Sequence, residues 1–156
     1  MTLPDRIYLD ANFLIAYFVD YHNDHKASKA LFFELLKQDC IMYISTLSLD
    51  EGWYKTYEVL QKDIPKEKRK PIKEFYSEIK QILEAIEKLS QNIKIIQFEN
   101  NLSRGVKQAV ENIGNFSFRP RDAFHLAYMQ DLNLQTIITK DKKDFNKVPR
   151  LHVIDY

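Results

Sequence analysis

Arg6-Ile7-Tyr8-Leu9-Asp10, followed at once by Asn12-Phe13-Leu14-Ile15-Ala16-Tyr17-Phe18, reads as a buried strand that runs into an acid and then into a short buried helix. Moving outward, His25 to Lys37 carries Ala27, Ala30, Leu31 and Leu35 at helical spacing, with Asn23 or Asp24 placed to cap it. Ile41 to Ser45 is a second strand. Ser48-Leu49-Asp50-Glu51 fits a capping box that opens a helix reaching about Gln61. Pro71 suits the first turn of a long helix whose stripe is Ile72, Phe75, Tyr76, Ile79, Ile82, Leu83, Ile86 and Leu89. Ile93 to Phe98 forms a third strand. Leu102, Val106, Ala109, Val110 and Ile113 then mark a helix, with Gly114 as its stop. Pro120 opens another helix, carrying Ala123, Phe124, Ala127 and Tyr128. Thr136–Thr139 and His152–Asp155 supply the fourth and fifth strands. Strands separated by helices imply an α/β fold, with a parallel sheet covered on both faces.

The chain has 156 residues, and at about 150 residues per domain a single domain over 1–156 is expected. Apolar residues make up 45% and charged residues 29%, which excludes disorder and a coiled coil. The longest apolar run, Phe13 to Val19, is too short to cross a bilayer. No charged and apolar leader precedes the strand at Ile7, so a cytoplasmic location is expected, without membrane association. The lone Cys40 excludes a disulfide framework and a multi-thiolate zinc site. Net charge is +1, so bulk charge does not announce nucleic-acid binding.

The acids carry more information. Asp10 ends the first strand, and Glu51 lies early in the helix after the second. Asp122 sits in the first turn of the helix that leads to the fourth strand. Asp141 follows that strand, with Asp144 three residues on. In an open parallel sheet, ligands bind beyond the carboxyl ends of the strands, so these distant segments converge on one rim. Four ionised carboxylates in one pocket repel, and a cation offsets that charge. All-oxygen ligands suit Mg²⁺ or Mn²⁺. Such ions activate water and stabilise a leaving oxygen, which points to phosphodiester hydrolysis.

At this point the residues resemble the PIN-domain family. Tyr8-Leu9-Asp10-Ala11-Asn12 is similar to its opening motif, and Ser48-Leu49-Asp50-Glu51 to its second, Glu-bearing motif. Arg121-Asp122-Ala123-Phe124-His125-Leu126-Ala127 resembles its Asp-Ala-x-His-x-Ala helix, and Thr139-Lys140-Asp141-Lys142-Lys143-Asp144-Phe145 its Thr-x-Asp-x-x-Phe segment. His25-Lys26-Ala27-Ser28 also fits a helix start seen there. The resemblance spans nearly the whole chain, in order. It implies a three-layer α/β/α sandwich with sheet order 3-2-1-4-5. It also implies Mg²⁺- or Mn²⁺-dependent endoribonuclease activity on RNA, leaving 3′-hydroxyl and 5′-phosphate ends. Many small members are VapC-like toxins, often homodimers, held inactive by a small antitoxin protein. Asp10, Glu51, Asp122 and Asp141 fall at the family's metal-binding and catalytic acids. Asn12 and Thr139 fall at supporting polar positions; Asp144, three residues after Asp141, is a candidate peripheral ligand. The basic segment and long helix from Ile64 to Leu89 are larger than in the shortest toxins.

Several residues carry plainer readings as well. Asn12 is a candidate cap for the helix that follows it. Asp144 is a candidate helix cap before Phe145. Glu51 is the residue type a capping box wants. His125, on an apolar helix face, reads as a core histidine bonded to the backbone. His22 and His25, beside Asp20 and Asp24, read as capping and surface residues rather than a zinc site. Lys66, Lys68, Arg69, Lys70 and Lys73, opposed only by Glu67, read as a solvated basic face. Arg121, Lys140, Lys142 and Lys143 lie nearer the acids and are candidate RNA contacts. The alternative to a nuclease is a catalytically silent PIN-like module that binds RNA or protein. A receiver domain is disfavoured because Ala11 and Asn12, not a second acid, follow Asp10.

Overall fold

Alternation along β1 (Arg6–Leu9) sets the two faces of the sheet: Ile7 and Leu9 point into one apolar core and Tyr8 into the other. The computed structural model describes residues 3–98 and 101–156. The remaining strands are β2 (Ile41–Ser45), β3 (Ile93–Ile96), β4 (Thr136–Ile138) and β5 (His152–Ile154). All pair in parallel, in the order β3-β2-β1-β4-β5. Tyr8 stands opposite Tyr43 on one side and Ile137 on the other.

The helices are α1 (Ala11–Phe18), α2 (His25–Lys37), α3 (Thr46–Leu60), α4 (Tyr76–Lys88), α5 (Leu102–Phe116), α6 (Pro120–Asp131) and the short α7 (Lys142–Phe145). Phe13, Leu14, Phe32, Leu35, Leu49, Ile82 and Ile86 bring α1 to α4 onto the Ile7 face. Ala109, Ala123, Leu126, Ala127, Met129 and Phe145 bring α5 to α7 onto the Tyr8 face. The result is the expected three-layer α/β/α sandwich. Among the described residues no helix is long and apolar enough to cross a membrane.

Local departures from the sequence reading have identifiable causes. The α1 cap is Asp10, not Asn12: its carboxylate accepts the Ala11 N–H at 2.7 Å. The α3 cap is Ser45, the last residue of β2, whose Oγ accepts the Ser48 N–H at 3.0 Å. Strand therefore passes to helix without a loop, and Glu51 lies in the second turn, released from any capping-box role.

Pro71 leads into a 3-10 turn (Ile72–Phe75), and α4 begins only at Tyr76. Ile72 and Tyr76 are exposed, and burial narrows to Ile82 and Ile86. The basic segment is anchored by Gln61, fully buried, which accepts the Lys70 N–H at 2.6 Å and donates to the Lys70 carbonyl. Gly114 lies inside α5. The helix stops instead at Ser117, which adopts the left-handed conformation at φ 55°. The expected stripe of α5 is mostly outside: Leu102 is 68% and Val110 63% exposed. Its buried side is Gly105, Ala109 and Asn112, where Asn112 donates to the Ala123 carbonyl and to Gln130 of α6.

Candidate active site

Parallel pairing puts the carboxyl ends of β1 and β4 side by side, so Asp10 and the Thr139–Asp141 segment meet although they are far apart in sequence. The Asp10 N–H continues the ladder to the Ile138 carbonyl at 3.2 Å. Its carboxylate is buried, at 4% exposure. Oδ1 accepts from Ala11, and Oδ2 accepts from the Thr139 hydroxyl at 2.7 Å and from Asn12 Nδ2 at 3.2 Å. Asn12 Nδ2 also reaches Asp141 Oδ2 at 3.2 Å, and Thr139 Oγ1 accepts the Asp141 N–H at 3.0 Å. Asn12 and Thr139 therefore yoke Asp10 to Asp141.

Glu51 enters from the second turn of α3. One oxygen, Oε2, lies 3.4 Å from His125 Nε2. The other, Oε1, is 3.2 Å from Arg121 Nε, but the angle is not that of a hydrogen bond and the atom is buried without a hydrogen-bond partner. Asp122, in the first turn of α6, is half-buried. Burial holds its carboxyl above the ordinary range, and the charges of Asp141, Asp10 and Asp144 add to that. Burial likewise raises Asp141, with Asp10 and Asp144 adding to it and the Asn12 hydrogen bond partly offsetting it. Burial is the larger cause of both shifts, and the repulsion of gathered like charges adds to it.

Asp144 lies inside α7 rather than capping it, and its bond to Lys147 at 2.6 Å holds its carboxyl below the usual range. Glu51, Asp122, Asp141, Asp144 and Asn12 line one cleft of about 600 Å³, with Asp10 beneath them. Lys55, Arg119 and Arg121 supply its basic wall. Lys55 and Arg119 were not singled out from sequence. Lys55 stands four residues after Glu51, one helical turn away on the same face, and that spacing is the signal that finds it.

Of the lysines after β4, Lys140 pairs with Asp24 and Asp155, and Lys142 pairs with Asp155 at 2.6 Å. Lys143 makes no ion pair among the described residues. Arg121 meets Glu51 rather than its neighbour Asp122. His25 bonds the Ala16 carbonyl and contacts Asp20 at 3.2 Å, which ties the start of α2 to α1.

His125 is buried as expected, but its partners are side chains, not backbone. Nδ1 lies 2.7 Å from the Tyr8 hydroxyl, and Nε2 faces Glu51 and, at 3.8 Å, Asp10. Burial disfavours the imidazolium, yet the Glu51 bond and the charges of Asp10, Glu51 and Asp122 outweigh it and raise the His125 pKa. Asp10, Glu51 and His125 each offer a ligand atom within 4.8 Å of the others. An unbonded buried carboxylate oxygen, an oxygen-rich donor set and two acids raised by burial, with neighbouring acids adding to it, fit a divalent cation.

The model of the PIN domain matches residues 7–151. No curated protein matches the chain. Similar solved structures include a toxin–antitoxin complex from Klebsiella pneumoniae (22% identity, 95% of each chain covered, TM-score 0.60). Another is VapBC2 from Rickettsia felis bound to a promoter DNA fragment (15% identity, 97% of this chain and 98% of that one, TM-score 0.60). A third is VapC20 of Mycobacterium tuberculosis, a sarcin–ricin loop cleaving toxin (17% identity, 84% and 86% covered, TM-score 0.58). At such identities the likeness is one of fold. The family match spans nearly the whole chain and agrees with the sheet order and the gathered acids: the chain belongs to the PIN domain family.

Proposed function

We propose that the protein is a divalent-metal-dependent endoribonuclease of the toxin type. The observation that carries this is the meeting of Asp10, Glu51, Asp122 and Asp141, from four separate chain segments, at one cleft. In this reading the four acids hold Mg²⁺ or Mn²⁺. When bound, the ion polarises the phosphodiester and lowers the pKa of an attacking water. Asn12 and Thr139 orient Asp10 and Asp141 through the bonds described above. Asp144 stands at the margin of the cleft, held by Lys147. Arg119, Arg121 and Lys55 draw the RNA backbone to the acids, because phosphate contacts supply much of non-specific affinity. Lys143 extends that surface, with Lys140 and Lys142 joining it where the strand displaces Asp155.

The similarity to toxin–antitoxin structures supports the further reading that an antitoxin protein restrains the chain; that the partner is small, that the chain acts as a homodimer and that it works in the cytoplasm belong to the same proposal. The test is cleavage of RNA with Mg²⁺ or Mn²⁺, with EDTA and with Asp122→Asn. Cleavage that needs the ion and Asp122 is expected, and unchanged cleavage by the variant overturns the assignment. Metal binding with no cleavage of diverse RNAs would instead identify a silent binding module. Growth arrest of a bacterium by the wild type but not by Asp10→Asn, relieved by a co-expressed small protein, tests the toxin role.

A further inference from the structure

We propose that Tyr8 and His125 form a buried positioning relay that aims an imidazole Nε2–H at Glu51 and Asp10 and fixes the inner wall of the carboxylate site. The proposal rests on the reading above only in taking Glu51 and Asp10 as metal-holding residues.

The relay follows from counting protons. The Tyr8 hydroxyl is fully buried and has three polar neighbours: Ser45 Oγ at 2.6 Å, Ser48 Oγ at 3.1 Å and His125 Nδ1 at 2.7 Å. Ser48 has a carbonyl to donate to, Leu9 O at 3.3 Å. Ser45 Oγ accepts the Ser48 N–H and lies 3.1 Å from Ser48 Oγ. Nε2 of His125, however, faces two carboxylates, which accept and do not donate, so the imidazole proton sits on Nε2 and the Ser45 proton goes to its nearer neighbour, the Tyr8 oxygen. The Tyr8 hydroxyl then donates to Nδ1 of the neutral His125 ring. A neutral imidazole that accepts at Nδ1 carries its proton on Nε2. Nε2 lies 3.4 Å from Glu51 Oε2 and 3.8 Å from Asp10 Oδ1. A charged imidazolium presents the same Nε2–H to the same oxygens and reverses only the bond between Nδ1 and Tyr8, so what faces Glu51 and Asp10 does not depend on the protonation state of His125.

Every member of this chain is satisfied, and such buried networks rigidify what they connect. It connects β1, the β2–α3 junction and α6, the elements that carry Asp10, Glu51 and Asp122. It holds Oε2 of Glu51 and leaves Oε1, the oxygen without a hydrogen bond, beside Arg121. His125 is thus a positioning residue, acting through Glu51.

Two amide substitutions separate the ends of the imidazole. In His125→Gln the amide N–H reaches the Nε2 position; in His125→Asn it reaches only the Nδ1 position. Mn²⁺ binding to metal-free protein, followed by calorimetry and electron paramagnetic resonance, is expected to stay near wild type for Gln. For Asn it should weaken by about 10–100-fold, as for lost outer-shell partners. Tyr8→Phe, which keeps the ring, should weaken it as well. Equal affinity of the Asn variant and wild type overturns the relay. Equal loss in Gln and Asn also overturns it, in favour of direct ligation by His125. Nitrogen-15 NMR of the unmodified protein needs no variant: a ring protonated at Nε2, neutral or charged, supports the relay, and a neutral ring protonated only at Nδ1 overturns it. Wild-type protein that binds no Mn²⁺ sinks the nuclease reading, while the NMR result still decides the relay.

Discussion

Thr139→Val removes one hydroxyl from the centre of the site and keeps the side chain's shape. Thr139 is fully buried, so no water replaces what is lost. Its hydroxyl donates to the Asp10 carboxylate at 2.7 Å and accepts the Asp141 N–H at 3.0 Å. A hydrogen bond to a charged group contributes about 1.5–3 kcal/mol, and a neutral one about 0.5–1.5 kcal/mol. The added methyl returns about 0.8 kcal/mol. The net loss is about 2.5 kcal/mol, or roughly 5–10 °C in Tm for a chain of this length. Urea denaturation in EDTA measures it. A double-mutant cycle with Asp10→Asn should give a coupling of about 1.5–3 kcal/mol, since both changes break the same bond. Thr139→Ser, which keeps the hydroxyl, should recover most of the loss. A Val variant within about 0.5 kcal/mol of wild type, or one strictly additive with Asp10→Asn, would refute the claim that this hydroxyl yokes the two acids.

Asp122 is held above its ordinary pKa by burial and then by Asp141, Asp10 and Asp144, so the folded chain takes up this proton more readily than the unfolded chain. Its contribution to stability is therefore greatest in acid and is lost as pH rises through the carboxylate range. Asp122→Asn should abolish RNA cleavage yet gain in Tm over wild type, in EDTA, as pH rises to neutral; a gap that shrinks contradicts the crowding argument. Mg²⁺ or Mn²⁺ at about 100 times Kd should raise stability by about 2.7 kcal/mol, or roughly 5–10 °C in Tm, and scanning calorimetry should show no such rise in Asp122→Asn. Gly105→Ala places a Cβ against the Phe98 ring, which stacks on Tyr128 at 4.2 Å. Denaturation should show a loss of about 1–3 kcal/mol, and a neutral result would mean that the ring yields freely.

The strand and helix order was legible because each element repeats a simple period, and the rim position of the acids followed from parallel connectivity. What a period cannot tell is whether an apolar face is covered. Leu102 and Val110 recur as core residues do, yet α5 buries only the edge of that stripe at Ala109 and the adjoining face of Gly105 and Asn112. Caps were legible only to within a turn: Ser45 and Ser48 are chemically alike, and only the strand that ends on Ser45 decides between them. Gly114 offers the left-handed conformation more cheaply than Ser117, but the helix continues past it to Phe116, which packs against the core on the Tyr8 face. The partnership of Tyr8 and His125 spans 117 residues of sequence and has no local signature. Lys55 was findable from its spacing to Glu51; Arg119 was not.

Asp10 is at once a helix cap, a buried acceptor for three donors and a member of the acidic rim. Architecture and chemistry therefore depend on the same two oxygen atoms. Lineages under pressure to silence the protein can lose Asp122, half in solvent, while keeping the scaffold. Losing Asp10 weakens the strand-to-helix joint as well, so inactivated descendants should still carry it long after the acids around it have drifted.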